Sequence, residues 1–279
     1  MTSAPLQRWT IARPAELSGL GVRTGRHITV RFLPAEAYSG ITVTRTDLDM
    51  TWPVDLDHAL DVPNSTCIGD HSGMVAFVEH VLAALWAAAI SDAQIVVDGP
   101  EIPLLDGSAL PWYGAVTAAG RRQLDGEWTP LKLTEPVFVL GDNTALIALP
   151  AERLRLSYAL LHSHHMIGHQ FAHFDAECDS FADDLAPART FATGAELEQL
   201  QQAGLIVAGS EENCLIVYDD RYSSALFAGN AMARHKLVDM AGDLYLLGRR
   251  VHAHVLGYRT GHTDNRALAH RIAEQQQAP

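Results

Sequence analysis

Residues 234–243 read Arg234-His235-Lys236-Leu237-Val238-Asp239-Met240-Ala241-Gly242-Asp243. At about 100° per residue, His235, Asp239 and Asp243 fall on one face of a helix, each four residues from the next. Leu237, Met240, Leu244 and Leu247 fall on the opposite face. One side is therefore a packing stripe, and the other offers an imidazole and two carboxylates in line. A His and an Asp four residues apart either hold one metal ion or form a helix-surface ion pair. This stretch by itself leaves both readings open.

The next informative stretch is Met74 to Ile90, MVAFVEHVLAALWAAAI, which reads as a buried helix. Glu79 and His80 are its only polar side chains. An ionised carboxylate buried without a partner is costly, so something must satisfy the pair. They either bond to each other in a core, or His80 binds a metal while Glu79 turns toward a bound water. Taken with the first helix, His80, His235 and Asp239 make three N/O ligands. That is the pattern of a catalytic zinc site with a fourth position open, and a nearby carboxylate can take the proton of a water there. Two His and one Asp also suit Fe²⁺. Asp243 lies one turn beyond Asp239, too far along to be an obvious ligand, and suits a role orienting another group.

Other polar residues are weaker signals. Gly261-His262 follows an expected strand and opens a loop, with the cation of Arg259 just before it. Thr190, in the turn-like segment Ala186–Phe191, has a hydroxyl suited to an oxyanion, as any Thr does. His162, His164, His165, His169 and His173 crowd one stretch. Gly168 weakens the helix a 165/169/173 ladder would need, so a loop or strand lining the cleft is preferred to a second metal site.

Around these motifs, strands are expected at 27–33, 41–46 and 94–97, then at 131–140, 144–149, 154–160, 205–207, 214–218 and 251–258. Helices are expected at 74–90, 110–119 (with Ser108 as a possible cap), 196–202, 231–248 and 265–276. Each half runs strands and then helices, which gives an α+β fold with a helix layer on each sheet. The polar stretch QLDGEWTP at 123–130 marks a linker between a first domain, 1–122, and a second, 131–279. The chain has 279 residues, 48% hydrophobic and 19% charged, with a formal net charge of -13. That balance fits a globular protein and disfavours a nucleic-acid binder, which is normally basic. Three scattered cysteines suggest no disulfide framework. With no secretory h-region at the N-terminus and no membrane-length apolar run, a cytoplasmic protein is expected.

Six stretches together resemble one family, the zinc-dependent UDP-3-O-acyl-N-acetylglucosamine deacetylases of lipid A biosynthesis. They are SGLGVRTGRHITV (18–30), VEHVLAAL (78–85), EIPLLDGSALP (101–111), APARTF (186–191), RHKLVDMAGDLYLLG (234–248) and TGHTDN (260–265). The resemblance implies two similar domains, each a sheet packed against two helices, with the active site between them. It implies His80, His235 and Asp239 as zinc ligands, Glu79 as general base, and His262 as general acid or charge stabiliser held by Asp243. It assigns Lys236 and Thr190 to the oxyanion, and Thr190, Phe191, Lys236 and Arg259 to a sugar-nucleotide substrate. An insert at about 191–220 would form an acyl passage. Departures from the family pattern are Arg23 for a usual His, Phe77 for a usual Thr, and the segment His162–His165. They leave room for a paralogue acting on another N-acetylated sugar lacking a long acyl chain. A non-catalytic sensor on the same fold is the reading from a different class.

Overall fold

The computed structural model describes residues 5–277. It is α+β. In the first half, the strands β1 (Leu6–Ile11), β2 (Ala15–Leu20), β3 (His27–Pro34), β4 (Ile41–Arg45) and β5 (Met50–Pro53) precede three short strands. These are β6 (Ala59–Leu60), β7 (Cys67–Asp70) and β8 (Gly73–Ala76), which form a small antiparallel sheet. Then come α1 (Glu79–Ala87), β9 (Ala93–Val97), α2 (Leu110–Ala119) and β10 (Arg121–Trp128). The second half has β11 (Leu131–Lys132), β12 (Val137–Leu140), β13 (Ala145–Pro150), β14 (Arg155–Leu161) and β15 (His169–Asp175). It continues with β16 (Phe191–Thr193), α3 (Gly194–Gln202), β17 (Leu215–Val217), α4 (Ala231–Leu244), β18 (Val251–Tyr258) and α5 (His262–Gln277).

The two main sheets share one plan. The first has the order β2-β3-β9-β4-β5 and the second β12-β13-β18-β14-β15. In each, the central strand comes last and runs antiparallel to one neighbour and parallel to the other. In the first, α1 precedes that strand and α2 follows it; in the second, α3 and α4 precede it and α5 follows it. Alternation explains the layering. Ile28, Val30 and Phe32 of β3 are buried, while Thr29 and Arg31 between them face outward. The inner faces meet helices, and α1 packs against α4.

That crossing is close because of Gly242. A Cβ built there would lie 2.1 Å from the backbone oxygen of Glu79. Only glycine lets the two helices approach to this distance. The contact sets the α1 face carrying Glu79 and His80 against the α4 face carrying His235, Asp239 and Asp243.

Several expectations need correction. The helix expected over 74–90 is α1 alone. Residues 73–76 pair as β8, Phe77 takes a positive φ of 62°, and Ala89 at φ 57° ends the helix side of the run. An unbroken apolar run carries no period to separate strand from helix. The expected linker at 123–130 is largely β10, an antiparallel partner of β1. The strand expected over 131–140 is broken into β11 and β12 around Pro136. Residues 205–207 are not a strand. Gly204 turns the chain at φ 68°, and the N–H groups of Val207 and Ala208 donate to the Val22 carbonyl at 2.7 and 2.9 Å. His262 opens α5 rather than a loop. The other expected elements are present to within a few residues, with α4 ending in a 3₁₀ turn at Tyr245–Leu247. The three cysteines are free. No helix of the described residues is long and apolar enough to cross a membrane.

Candidate active site

The α4 face expected to be either site or surface pair is buried: His235, Asp239 and Asp243 are at most 3% exposed. Glu79 and His80, both 3% exposed, meet it from α1. Asp239 Oδ1 lies 3.3 Å from His235 Nε2 and 3.7 Å from His80 Nε2. The two imidazole rings stand edge to face, 5.0 Å apart. Ligands at the four corners around a zinc ion would be roughly 3.4 Å from one another, so the spacing fits a shared cation. Among the described residues this is the one group of three or more His, Cys, Asp or Glu that converges in this way.

Proton placement supports the same fit. His235 Nδ1 lies 3.0 Å from the Ala188 carbonyl oxygen, which can only accept, so Nδ1 carries the hydrogen. Nε2 is then a bare lone pair facing a carboxylate oxygen. Asp239 Oδ1 has no hydrogen-bond partner despite its burial. Two lone-pair atoms set against each other with no proton between them suit a shared cation, and the Nδ1–carbonyl bond is how proteins orient a metal-binding imidazole. Burial holds the His235 pKa down to about 3, keeping the ring neutral. Burial opposes the charge on Asp239, but the cations beside it, among them Lys236 and His262, outweigh it and its pKa falls well below the usual carboxylate range.

Around this trio stand two buried titratable groups, Glu79 and His262. Burial pushes the Glu79 carboxyl above its ordinary pKa, although His262 and His80 pull the other way. Its Oε2 accepts from the Thr66 N–H at 3.0 Å, which leaves Oε1 for other partners. His262 Nδ1 donates to Asp243 Oδ2 at 2.8 Å. Burial works against a charged His262, but the Asp243 carboxylate, followed by Asp239 and Glu79, raises its pKa to about 9. His262 Nε2 lies 3.9 Å from Asp239 Oδ2. Lys236 Nζ takes that same oxygen at 3.0 Å and stands 5.8 Å from the Phe191 ring centre. Phe191 also packs edge-on to His235, 6.4 Å between centres.

Among the described residues, two further expected residues make no hydrogen bond or ion pair with this cluster. Thr190 is tied in through its backbone, donating to Gly107 at 2.7 Å and accepting from Leu215 at 2.8 Å. Arg259 is exposed at φ 55°, and no hydrogen bond or ion pair joins it to the cluster. The His-rich stretch is a turn followed by β15. His162 and His164 approach Glu196 and Asp219 at 3.7 and 3.3 Å, and His169 and His173 face outward.

The family model for UDP-3-O-acyl N-acetylglycosamine deacetylase matches residues 8–274. The chain belongs to that family. Proteins named UDP-3-O-acyl-N-acetylglucosamine deacetylase resemble it along most of their length. One from Leptospira biflexa is 34% identical over 274 residues, covering 97% of this chain and 91% of the relative. One from Synechocystis is 36% identical over 270 residues, with coverage of 95% and 98%. One from Nostoc is 36% identical over 275 residues, with coverage of 96% and 98%.

Sequence reasoning missed three residues bonded to this UDP-3-O-acyl N-acetylglycosamine deacetylase site, and a fourth that holds the turn at 21–25. Thr66 donates its hydroxyl to Asp243 Oδ1 and its N–H to Glu79. Asn265 Nδ2 donates to Asp243 Oδ2 at 2.8 Å. The Ala188 carbonyl fixes His235. Glu101, fully buried, accepts from the N–H groups of Arg23 and Thr24 at 2.9 Å each and shapes the turn at 21–25. Of these, Asn265 had a local signal, since it follows His262 by three residues on one helix face.

Proposed function

We propose that this protein hydrolyses the N-acetyl group of a UDP-3-O-acyl-N-acetylglucosamine in lipid A biosynthesis, using zinc held by His80, His235 and Asp239. The observation that carries the reading is the trio itself. A buried carboxylate oxygen without a hydrogen bond faces two imidazole nitrogens, with a raised-pKa carboxyl and a cationic imidazole beside it. The relatives' names supply the substrate class. When bound, the ion supplies Lewis-acid activation of water and of the amide carbonyl.

The chain's own groups do the rest. Glu79 takes a proton from the attacking water at Oε1, since Thr66 occupies Oε2. A carboxyl whose pKa is raised is better matched to holding that proton near neutral pH. His262 Nδ1 is committed to Asp243, so Nε2–H is the proton that passes to the departing amine. Lys236 and the Thr190 hydroxyl donate to the oxyanion as charge develops there. Phe191 packs beside the sugar, and the exposed Arg259 meets the nucleotide's diphosphate from outside the cluster. Leu205 and Val207, 51% and 60% exposed, suit the wall of an acyl path in the 191–220 insert. The matched plans of the two sheets favour two domains, 1–122 and 131–279, with β10 joining them. Free cysteines and a nucleotide-sugar substrate favour a cytoplasmic setting.

The test is acetate release from UDP-3-O-acyl-N-acetylglucosamine, with the unacylated sugar nucleotide run alongside. Glu79→Ala should keep zinc bound and lose roughly 10²-fold or more in turnover. Wild-type turnover in that variant would remove Glu79 from the base role. Equal rates on both substrates would favour a sugar lacking the acyl chain.

A further inference from the structure

We propose that Thr66 is a positioning residue that sets the base and the acid of this site together. The proposal rests on the deacetylase reading and deepens it. Thr66 is fully buried and lies just before β7, in the small three-stranded sheet. Each of its polar groups is used. Its N–H donates to Glu79 Oε2 at 3.0 Å. Its carbonyl accepts from Val78, the residue at the start of α1, at 3.2 Å. Its hydroxyl donates to Asp243 Oδ1 and lies 3.3 Å from His262 Nδ1.

The direction of the hydroxyl bond follows from its partner. Asp243 in its ionised form can only accept, so Thr66 Oγ1 supplies the proton. Asp243 Oδ2 already accepts from His262 Nδ1 and from Asn265 Nδ2, both at 2.8 Å. Thr66 is the donor to Oδ1, the other oxygen, so it sets the roll of the carboxylate about its own axis. That roll decides how squarely Oδ2 meets the imidazole, and therefore where His262 Nε2 points. Through its backbone the same residue holds one oxygen of Glu79 and leaves the other toward the metal trio. The small sheet thus connects two groups on different helices that would otherwise be fixed independently. None of these hydrogen bonds goes to His80, His235 or Asp239.

The hydroxyl and backbone arms separate by mutation. Thr66→Val keeps size and the N–H, and removes only the donor to Asp243. Turnover should fall roughly 10- to 100-fold, the upper end being the cost of misplacing a reacting group by about 1 Å. KM and zinc per chain should stay at the wild-type level. Thr66→Ser should restore most of the loss. In an Asp243→Ala background, Thr66→Val should cost nothing further, because the group it acts through has gone. Losses that multiply in the double variant, or a Ser variant no better than Val, would overturn the proposal.

A spectroscopic readout keeps it testable apart from turnover. The His262 Nδ1 proton, identified by its loss in His262→Gln, should move upfield in Thr66→Val and stay in place in Thr66→Ser. An unmoved proton in Thr66→Val would overturn the hydroxyl arm even if wild-type protein released no acetate. Absent acetate release with a moved proton would instead count against the deacetylase reading alone. If Thr66→Val does not fold, Thr66→Ala removes the same donor without adding bulk and is read in the same way.

Discussion

Gly242→Ala tests the contact on which the site depends. On an open helix this change stabilises by about 0.8–1.0 kcal/mol, because alanine is the better helix former. At the α1–α4 crossing the sign should reverse. The new Cβ would stand 2.1 Å from the Glu79 oxygen, 2.9 Å from its carbonyl carbon and 3.1 Å from its Cα. Carbon–oxygen contacts settle near 3.3 Å, so the helices must part by about 1 Å. These are backbone atoms, which cannot rotate aside as a side-chain end can. Overpacking of this kind costs about 1–3 kcal/mol, which for a chain of this length lowers the melting temperature by roughly 2–10 °C. The functional loss should be larger. His80 rides on α1 while His235 and Asp239 ride on α4, so parting the helices withdraws one ligand from the other two. A displacement near 1 Å costs about 10²-fold in turnover. The assay is a thermal melt, metal per chain and acetate release on the same preparation. An alanine variant that melts at or above wild type with a full complement of metal would refute the contact and the reasoning built on it.

Three further outcomes are expected. Stripping the metal with a chelator should abolish turnover and lower the melting temperature, and zinc should restore both; at 100-fold excess over its Kd the ion adds about 2.7 kcal/mol. Retained turnover in chelated protein would count against a metal-dependent reaction. The His262 pKa is raised to about 9 from an ordinary 6.5, so its ion pair contributes fully below about pH 6.5 and is lost as pH rises through 9. The melting temperatures of wild type and Asp243→Asn should therefore converge toward pH 10, and turnover should decline on the alkaline side. A gap that widens with pH would reverse the assignment. Arg189→Ala should loosen the insert, since the guanidinium donates to the carbonyls of Asp106, Glu211 and Glu212 at 2.5, 2.7 and 2.9 Å. A stability loss on the order of 1 kcal/mol should come with faster proteolysis at 203–213, and an unchanged digest would contradict that anchor.

The convergence of His80, His235 and Asp239 was legible because its signals are local. A His and an Asp four apart declare one helix face, and a Glu–His pair within an apolar run declares a need for partners. What was not legible depends on convergence. Thr66 meets Asp243 across 177 residues of sequence, and nothing in NSTCIGD announces it. The five histidines of 162–173 were the loudest metal signal by composition, yet no three of them converge among the described residues. Ligation depends on where side chains point, not on how many there are. The start of α1 was misplaced because Met74–Val78 is apolar on every face and carries no period. The strand β10 was missed within the expected linker: Leu124 and Trp128 are buried while the residues between them are exposed, a pattern that suits an edge ribbon.

The shared plan of the two sheets has a chemical consequence. A repeated scaffold offers matching slots on α1 and α4, and these meet at one seam. Two copies of the α1 surface would bury a pair of glutamates and supply no aspartate ligand. Two copies of the α4 surface would supply ligands but no base. On the proposed ligand and base roles, the reaction requires the halves to differ at this seam, so broken symmetry there is a condition of catalysis rather than a by-product of drift.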